Sequence, residues 1–440
     1  MRTLKLLAVL ALALPLATSC YTDEQLGAAP LPNTGELMRR YLSIGNSITA
    51  GFQSAGINDS TQNLAYPVLF AGAIGTGFAV PSLNMPGCPA PFINNVTMEL
   101  VPPPIPTGCA LRAHEPLPWY FNNLTQERVP PALPTGCALR SHEPLPPYFN
   151  NLGVPGAHVI DPLNNLDAAS NANTLTMLIL GGKTQVKAMT DANPTFVSVW
   201  IGNNDVLGAL TSTTNPGDPA QITSQADFEA RYGAILDAVD DATSASAALI
   251  SVGDVVLIPY ASLGATYWCL KTGACPGVPM APFPAIFTVD ISCSPSVAGA
   301  GGQGESILVP WTVGILQILT AAQGLPQTLD CTDDTQVALP AEVAAMQVAT
   351  AGYNTYIAAQ AAARGYAYYD LNPDLIAANV SGEIPPFPDI PADAPLSSVT
   401  FGPLFSLDGV HPSSETHRRV ADSLISVTNQ TFGTTIPLLP

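Results

Sequence analysis

Short apolar runs and longer amphipathic stretches take turns along this sequence. Residues 40–44 (RYLSI) read as a strand that runs into a turn and a helical stretch, and 63–74 read as a second helix. FVSVWI at 196–201 is an unbroken run rich in β-branched and aromatic residues, the pattern of a buried strand. Within 228–245 the apolar residues Tyr232, Ile235 and Val239 recur at a helical period. Residues 248–258 are apolar enough for a central strand. The Ala-rich stretch 340–364 opens with Pro340-Ala341-Glu342, a helix start, and 366–371 follows as another strand. A helix over 417–428 closes the chain. This alternation predicts an α/β fold with a parallel central sheet covered by helices on both faces.

Two regions break the alternation. Residues 81–152 are rich in Pro, and 260–335 carry four cysteines among many Gly, Pro and Ser. Both read as loop insertions on the rim of the sheet, where loops carry specificity, or equally as small lobes of their own. Inside the first, 101–124 recurs as 129–152 with 20 of 24 positions identical. Two copies are too few for a solenoid, so this is a tandem duplication. It copies His114 as His142, each in an Arg-x-His-Glu-Pro setting that reads as surface structure rather than a ligand site.

The cysteines follow from the same duplication. Cys269 and Cys275 can close a small loop, and Cys293 with Cys331 a larger one. Removing one copy of the repeat leaves an even set, so Cys88 is expected to pair with either Cys109 or Cys137, the other staying free. No CxxC pair occurs, so metal and thioredoxin-type chemistry find little support and no metal site or cofactor is expected.

The start of the chain stands apart from the rest. Arg2 and Lys5 precede an apolar run over 6–16, of signal-peptide length and too short to span a bilayer. It ends in Ala17-Thr18-Ser19-Cys20, which resembles the bacterial lipobox, whose Cys becomes the lipid-modified N-terminus; Ala17 stands where Leu is commoner. Residues 1–19 are thus expected to be a lipoprotein signal peptide, Cys20 the lipid anchor, 20–36 a tether and 37–436 the folded domain. The alternative is an ordinary secretory peptide with Cys20 incidental. Export favours disulfides. Tyr21 offers no inner-membrane retention signal, so an exported protein anchored to a bacterial membrane, at the outer membrane or cell surface, is expected.

Composition narrows the partners. Of 440 residues 47% are hydrophobic and 11% charged, so the chain has a core to bury rather than a disordered composition. Lys and Arg number 14 against 33 Asp and Glu, which leaves no basic stripe for a phosphate backbone and argues against nucleic acid.

Three short segments carry candidate chemistry. In Ile44-Gly45-Asn46-Ser47 a strand ends, Gly allows a tight turn, and Ser opens a helix with free backbone N–H groups around its hydroxyl, as a nucleophile and an oxyanion hole require. A turn that only caps the helix is the competing reading. Gly202-Asn203-Asn204-Asp205 follows the strand candidate at 196–201, so both segments would project onto the carboxyl rim of the sheet, where an amide can donate to a developing oxyanion. An Asn/Asp-rich turn is the plainer alternative. Asp408-Gly409-Val410-His411 sets a carboxylate three residues before one of only five histidines. On one helical turn the two would face the same way, the carboxylate fixing the imidazole tautomer for a Ser hydroxyl.

Together these segments resemble the SGNH (GDSL-type) hydrolase family, in family order, over about 37–80, 151–260 and 340–436. Gly45-Asn46-Ser47 matches its first block, with Asn46 where Asp is commoner. Gly156 in Asn151-Leu152-Gly153-Val154-Pro155-Gly156-Ala157 matches the second, Gly202–Asp205 the third and Asp408–His411 the fifth. After Pro412 the Ser-Ser-Glu-Thr run lacks the Gly usual before the final helix.

The resemblance implies a three-layer α/β/α, flavodoxin-like fold and a serine ester hydrolase (esterase, lipase or acylhydrolase). Ser47, His411 and Asp408 would be its catalytic residues, with Ser47, Gly156 and Asn204 forming the oxyanion hole. It implies an ester substrate, small or lipid-like. A carbohydrate O-deacetylase on the same chemistry and a catalytically silent surface-binding lipoprotein are the alternatives. The apolar, Pro-rich stretch 384–405 would line an acyl groove or serve as surface packing.

Overall fold

A computed structural model describes residues 35–102, 120–122, 127–129, 148–164, 179–181, 183–243, 245–278, 280–296, 301–391 and 397–440. The expected signal peptide, Cys20, nearly all of the tether, Cys109, Cys137, His114 and His142 lie outside the described residues.

The central sheet is parallel, in the order β1 (Tyr41–Gly45), β2 (Phe196–Trp200), β3 (Ser246–Ile250), β4 (Ala367–Tyr369). Successive side chains point to opposite faces, and both faces are apolar. Val197 and Val199 join Leu42 and Ile44 in one core cluster, while Phe196 and Trp200 join Tyr41 in the other. A strand buried on both sides has no polar face to show, which is why β2 reads as an unbroken run. Its one polar residue, Ser198, shares a 2.7 Å hydrogen bond with the Tyr41 hydroxyl.

Helices cover both faces. On the Val197 side pack α3 (Gln185–Ala192), α5 (Gln225–Thr243) and α6 (Pro340–Arg364), where Phe228 and Tyr353 stack with ring centroids 3.8 Å apart. On the Trp200 side pack α2 (Tyr66–Ile74) and α8 (Ser414–Phe432), whose Val420, Ala421, Leu424 and Ile425 form one buried stripe. Short helices α1 (Ser47–Ala50) and α4 (Asn204–Leu210) follow β1 and β2, and α7 (Asn372–Ser381) follows β4. Among the described residues no helix is long and apolar enough to cross a membrane.

Asn150 to Val154 extends the sheet on the other side of β1. Ser43 N–H donates to Asn150 O and Leu152 N–H to Ser43 O, both at 2.9 Å, and Val154 N–H donates to Gly45 O at 3.1 Å. The chain thus leaves β1 for one flank and returns to β2 on the other. Connections diverge there, and a crevice opens beyond the carboxyl ends of β1 and β2.

Several expected elements differ in extent, the closing helix running over Ser414–Phe432 and the strand expected at 366–371 over Ala367–Tyr369, and two others differ for a visible reason. The helix expected over 63–74 is interrupted: one helix ends at Asn63 and α2 starts at Tyr66, because Pro67 lacks an N–H and fits only a first turn. The strand expected over 248–258 stops at Ile250. Beyond it the Asn354 amide takes both backbone groups of Val252 (2.7 and 2.8 Å), and Asp254 caps a 3₁₀ turn at Val255–Leu257. The Cys-rich region forms a lobe with its own core of Tyr267, Phe287, Val309 and Leu329, tied by the disulfides Cys269–Cys275 and Cys293–Cys331. Cys88 is also disulfide-bonded; the choice between Cys109 and Cys137 lies outside the described residues.

Candidate active site

Ser47 is the first residue of α1, directly beyond β1, and is only 6% exposed. The turn that puts it there depends on Gly45. A Cβ at that position would lie 2.0 Å from Thr49 Oγ1 and 2.5 Å from the Trp200 carbonyl oxygen. Asn46 caps the helix by accepting the Ile48 N–H at 3.0 Å. As the first helical residue, Ser47 has a backbone N–H with no intrahelical acceptor. The turn therefore caps a helix and presents a hydroxyl with a free N–H beside it.

His411 Nε2 lies 2.9 Å from Ser47 Oγ, and His411 Nδ1 lies 2.8 Å from Asp408 Oδ2. Burial opposes ionisation of Asp408. The His411 ring, with the backbone N–H groups of His411 and Ala55, outweighs it and holds the carboxyl down at about 2. A carboxylate only accepts, so Nδ1 carries the ring proton and Nε2 offers its lone pair to the Ser47 hydroxyl. Phe52 packs against the imidazole, ring centroids 4.8 Å apart.

The expected helical turn between Asp408 and His411 is absent. Residues 406–411 form a loop closed by Ser406 N–H to His411 O at 2.9 Å, with Gly409 at φ +70°. Asp408 Oδ1 organises this loop, accepting the N–H groups of Val410 and His411 at 2.9 and 2.8 Å and the Ser406 hydroxyl at 3.1 Å. One carboxylate thus shapes the turn with one oxygen and faces the imidazole with the other. The Ala55 N–H reaches Oδ2 at 2.7 Å. It can do so because Ser54 and Ala55 are both left-handed, at φ +53° and +58°.

Asn204 opens α4 beyond β2, on the same rim. Gly202 precedes it at φ +115°, where a Cβ would meet the Phe228 ring and Val252, both at 2.8 Å. The Asn204 amide donates one hydrogen to Ala157 O at 2.8 Å, leaving its second for another acceptor. Gly156 is the neighbour of that fastened residue, at φ +81°, and is absent from the walls of the cavity beside Ser47. Asp205 fastens the same turn, accepting Val159 N–H at 2.9 Å and the Thr223 hydroxyl at 2.7 Å. Burial raises its carboxyl despite the nearby His158 and these donors.

A cavity of about 520 Å³ opens beside Ser47, His411, Asn203 and Asn204 and runs between α7 and α8. Of the expected groove 384–405, only Leu404 and Phe405 line it; α7, α8 and the 253–258 turn supply nearly half of the rest. Sequence reasoning also passed over Gln185. Its buried amide accepts Gly45 N–H and donates to Gly45 O, both at 2.9 Å, clamping the turn before Ser47. A lone Gln at a helix start gives no signal of such a task.

No family model matches the chain, and no curated protein matches it. Among solved structures, an extracellular lipase from Streptomyces rimosus aligns over 89% of this chain and 99% of that one, at 14% identity and a TM-score of 0.35. A likeness that loose carries no conclusion about this chain.

Proposed function

We propose that this chain is a serine ester hydrolase of the SGNH type, cleaving carboxylic esters through an acyl-enzyme. The observation that carries the reading is the continuous relay from Ser47 Oγ to His411 Nε2 (2.9 Å) and from His411 Nδ1 to Asp408 Oδ2 (2.8 Å). The nucleophile comes from the turn after β1, and the base with its orienting carboxylate from a single loop near the other end of the sequence. The flank-crossing strand order at β1 and the helices on both faces support the flavodoxin-like, three-layer description.

In this mechanism Ser47 Oγ attacks the ester carbonyl carbon as its proton passes to His411 Nε2. Asp408, ionised at neutral pH, stabilises the imidazolium. The carbonyl oxygen, now negative, is met by the Ser47 N–H and the second Asn204 amide hydrogen. The family resemblance assigns a third donor to Gly156, which lies in the turn that Asn204 and Asp205 fasten. Collapse breaks the ester C–O bond and the His411 proton leaves with the alcohol. Water then attacks the acyl-Ser47 ester, giving its proton to His411, and the acid is released as Ser47 recovers a proton.

Export and lipidation at Cys20 belong to the same proposal, and mass spectrometry of membrane-extracted protein tests them. For the chemistry, a fluorophosphonate probe should label the protein on Ser47, and Ser47→Ala should abolish both labelling and ester turnover. Turnover that survives in Ser47→Ala would refute the mechanism. Silence from the wild type toward every ester would favour a binding lipoprotein instead.

A further inference from the structure

The cavity beside Ser47 supports an inference that rests on the ester hydrolase reading and names its substrate class. Away from the Ser47–His411 pair its walls include Leu207, Ile258, Leu371, Leu375, Ala378 and Val420. The α7 helix rests on the 255–257 turn rather than along α8, and Ala377 and Ala378 present only methyl groups to the gap. Away from the Ser47–His411 pair, its acidic and basic lining residues are paired with other wall residues. Asp374 accepts the Tyr369 hydroxyl at 2.6 Å, and Glu383 pairs with Arg419 at 2.9 Å. A sugar buried here would need free donors and acceptors along the walls, whereas an alkyl chain needs none.

We infer that the cavity takes the unbranched alkyl chain of a long-chain ester, with the carbonyl held at Ser47. A methylene fills close to the ~30 Å³ that a water occupies in the liquid, so a cavity of about 520 Å³ has room for roughly 17 carbons. The chain can belong to the acyl group or to the alcohol, because the walls recognise only its apolar surface.

The test compares two ester series on the full protein. In one, p-nitrophenyl esters run from acetate to hexadecanoate; in the other, the chain is moved to the alcohol as alkyl acetates from ethyl to hexadecyl. One series should climb by about fourfold in kcat/KM per added methylene, the worth of burying a CH₂, and level off before about 17 carbons. Which series climbs identifies the source of the chain. Ala378→Trp, and separately Ala377→Trp, should lower the ratio of dodecyl to ethyl rates at least 30-fold in that series. Independently of turnover, calorimetry should show hexadecanoate binding to Ser47→Ala and not to Ser47→Ala/Ala378→Trp.

A flat profile with acetyl and ethyl substrates best, together with no hexadecanoate binding, overturns the inference. If hexadecanoate binds but no ester is turned over and the fluorophosphonate fails to label, the cavity assignment stands and the hydrolase reading falls.

Discussion

Acid should unfold this protein through a residue outside the relay. His417 of α8 is fully buried, its Nδ1 accepts the Tyr66 N–H at 3.3 Å, and its ring lies parallel to that of Tyr66. Nδ1 is therefore unprotonated and Nε2 carries the hydrogen, with no partner among the described residues. Burial, helped by repulsion from His411, pushes the imidazole down from 6.5 to about 3. The sign follows from proton counting. Between pH 6.5 and 3 the unfolded chain holds a proton on this residue and the folded one does not, so stability falls as pH falls. At 1.36 kcal/mol per pKa unit the loss is about 2 kcal/mol at pH 5 and about 5 kcal/mol near pH 3, against a typical total of 5–15 kcal/mol. Urea unfolding of wild type and His417→Gln from pH 7 to 4 isolates this contribution, because all other titrations are shared. Gln retains an acceptor for the Tyr66 N–H. Its stability difference from wild type should shift in the variant's favour by about 1.4 kcal/mol per unit below pH 6. A difference that stays constant with pH would refute the assignment of a neutral, buried His417.

Three further outcomes follow from the site. Asn204→Ala should lower kcat by roughly 10²–10³ on a soluble ester while KM changes little, the usual cost of an oxyanion donor; near-normal turnover would remove it from the role. Asp408→Asn should cost roughly 10⁴ in kcat by presenting the wrong imidazole tautomer. Because the Asp408 carboxyl drops from 3.8 to about 2 on folding, it contributes about 2 kcal/mol above pH 3.8 that disappears as pH falls through about 2, and the Asn variant should lack that dependence in acid unfolding. Ala55→Gly relieves a left-handed residue at ~1–2 kcal/mol, less the ~0.5–1 kcal/mol of extra freedom Gly gains unfolded. It should raise the urea midpoint slightly and leave kcat intact, whereas Ala55→Val should lower both; a destabilised Gly variant would contradict the strain.

What was legible in the sequence was what chemistry confines to a few neighbouring residues. Gly-Asn-Ser after one strand, Gly-x-Asn-Asp after another and Asp-x-x-His near the end each need a fixed local geometry, so each leaves a local pattern. FVSVWI betrayed its doubly buried strand for the same reason. The reach of 248–258 misled, because an apolar run says nothing of the Asn354 amide that takes Val252 out of the ladder. Asp408 and His411 were expected on a helical turn, yet a three-residue spacing serves equally well in a loop that the carboxylate itself organises. The cavity was illegible because it is an absence of packing. Leu375, Ala378 and Val420 look like ordinary core positions of amphipathic helices, and only the gap between α7 and α8 turns them into walls.

The rim of the sheet shows how a rigid nucleophile coexists with an open cavity. Where strands end, backbone groups lose their ladder partners, and a buried group left unpaired costs ~1–3 kcal/mol. Here side-chain amides take over. Gln185 clamps Gly45, Asn354 clamps Val252, and Asn372 accepts from Asp254 N–H and donates to Val252 O. Asn151 donates to Thr49 O at 2.8 Å and accepts Gly153 N–H at 3.0 Å, and Asn150 links Tyr41 O to Ala79 N–H. A primary amide offers the same donor and acceptor as a peptide, so each one extends the hydrogen-bond ladder while the main chain turns away. The backbone at 45–49 and 252–254 is thereby fixed from within the sheet. Ser47 does not depend for its position on the Cys-rich lobe, and of the Pro-rich excursion only the last residues, Asn150 to Leu152, brace it, so the helices above it can stand apart and leave room for a substrate.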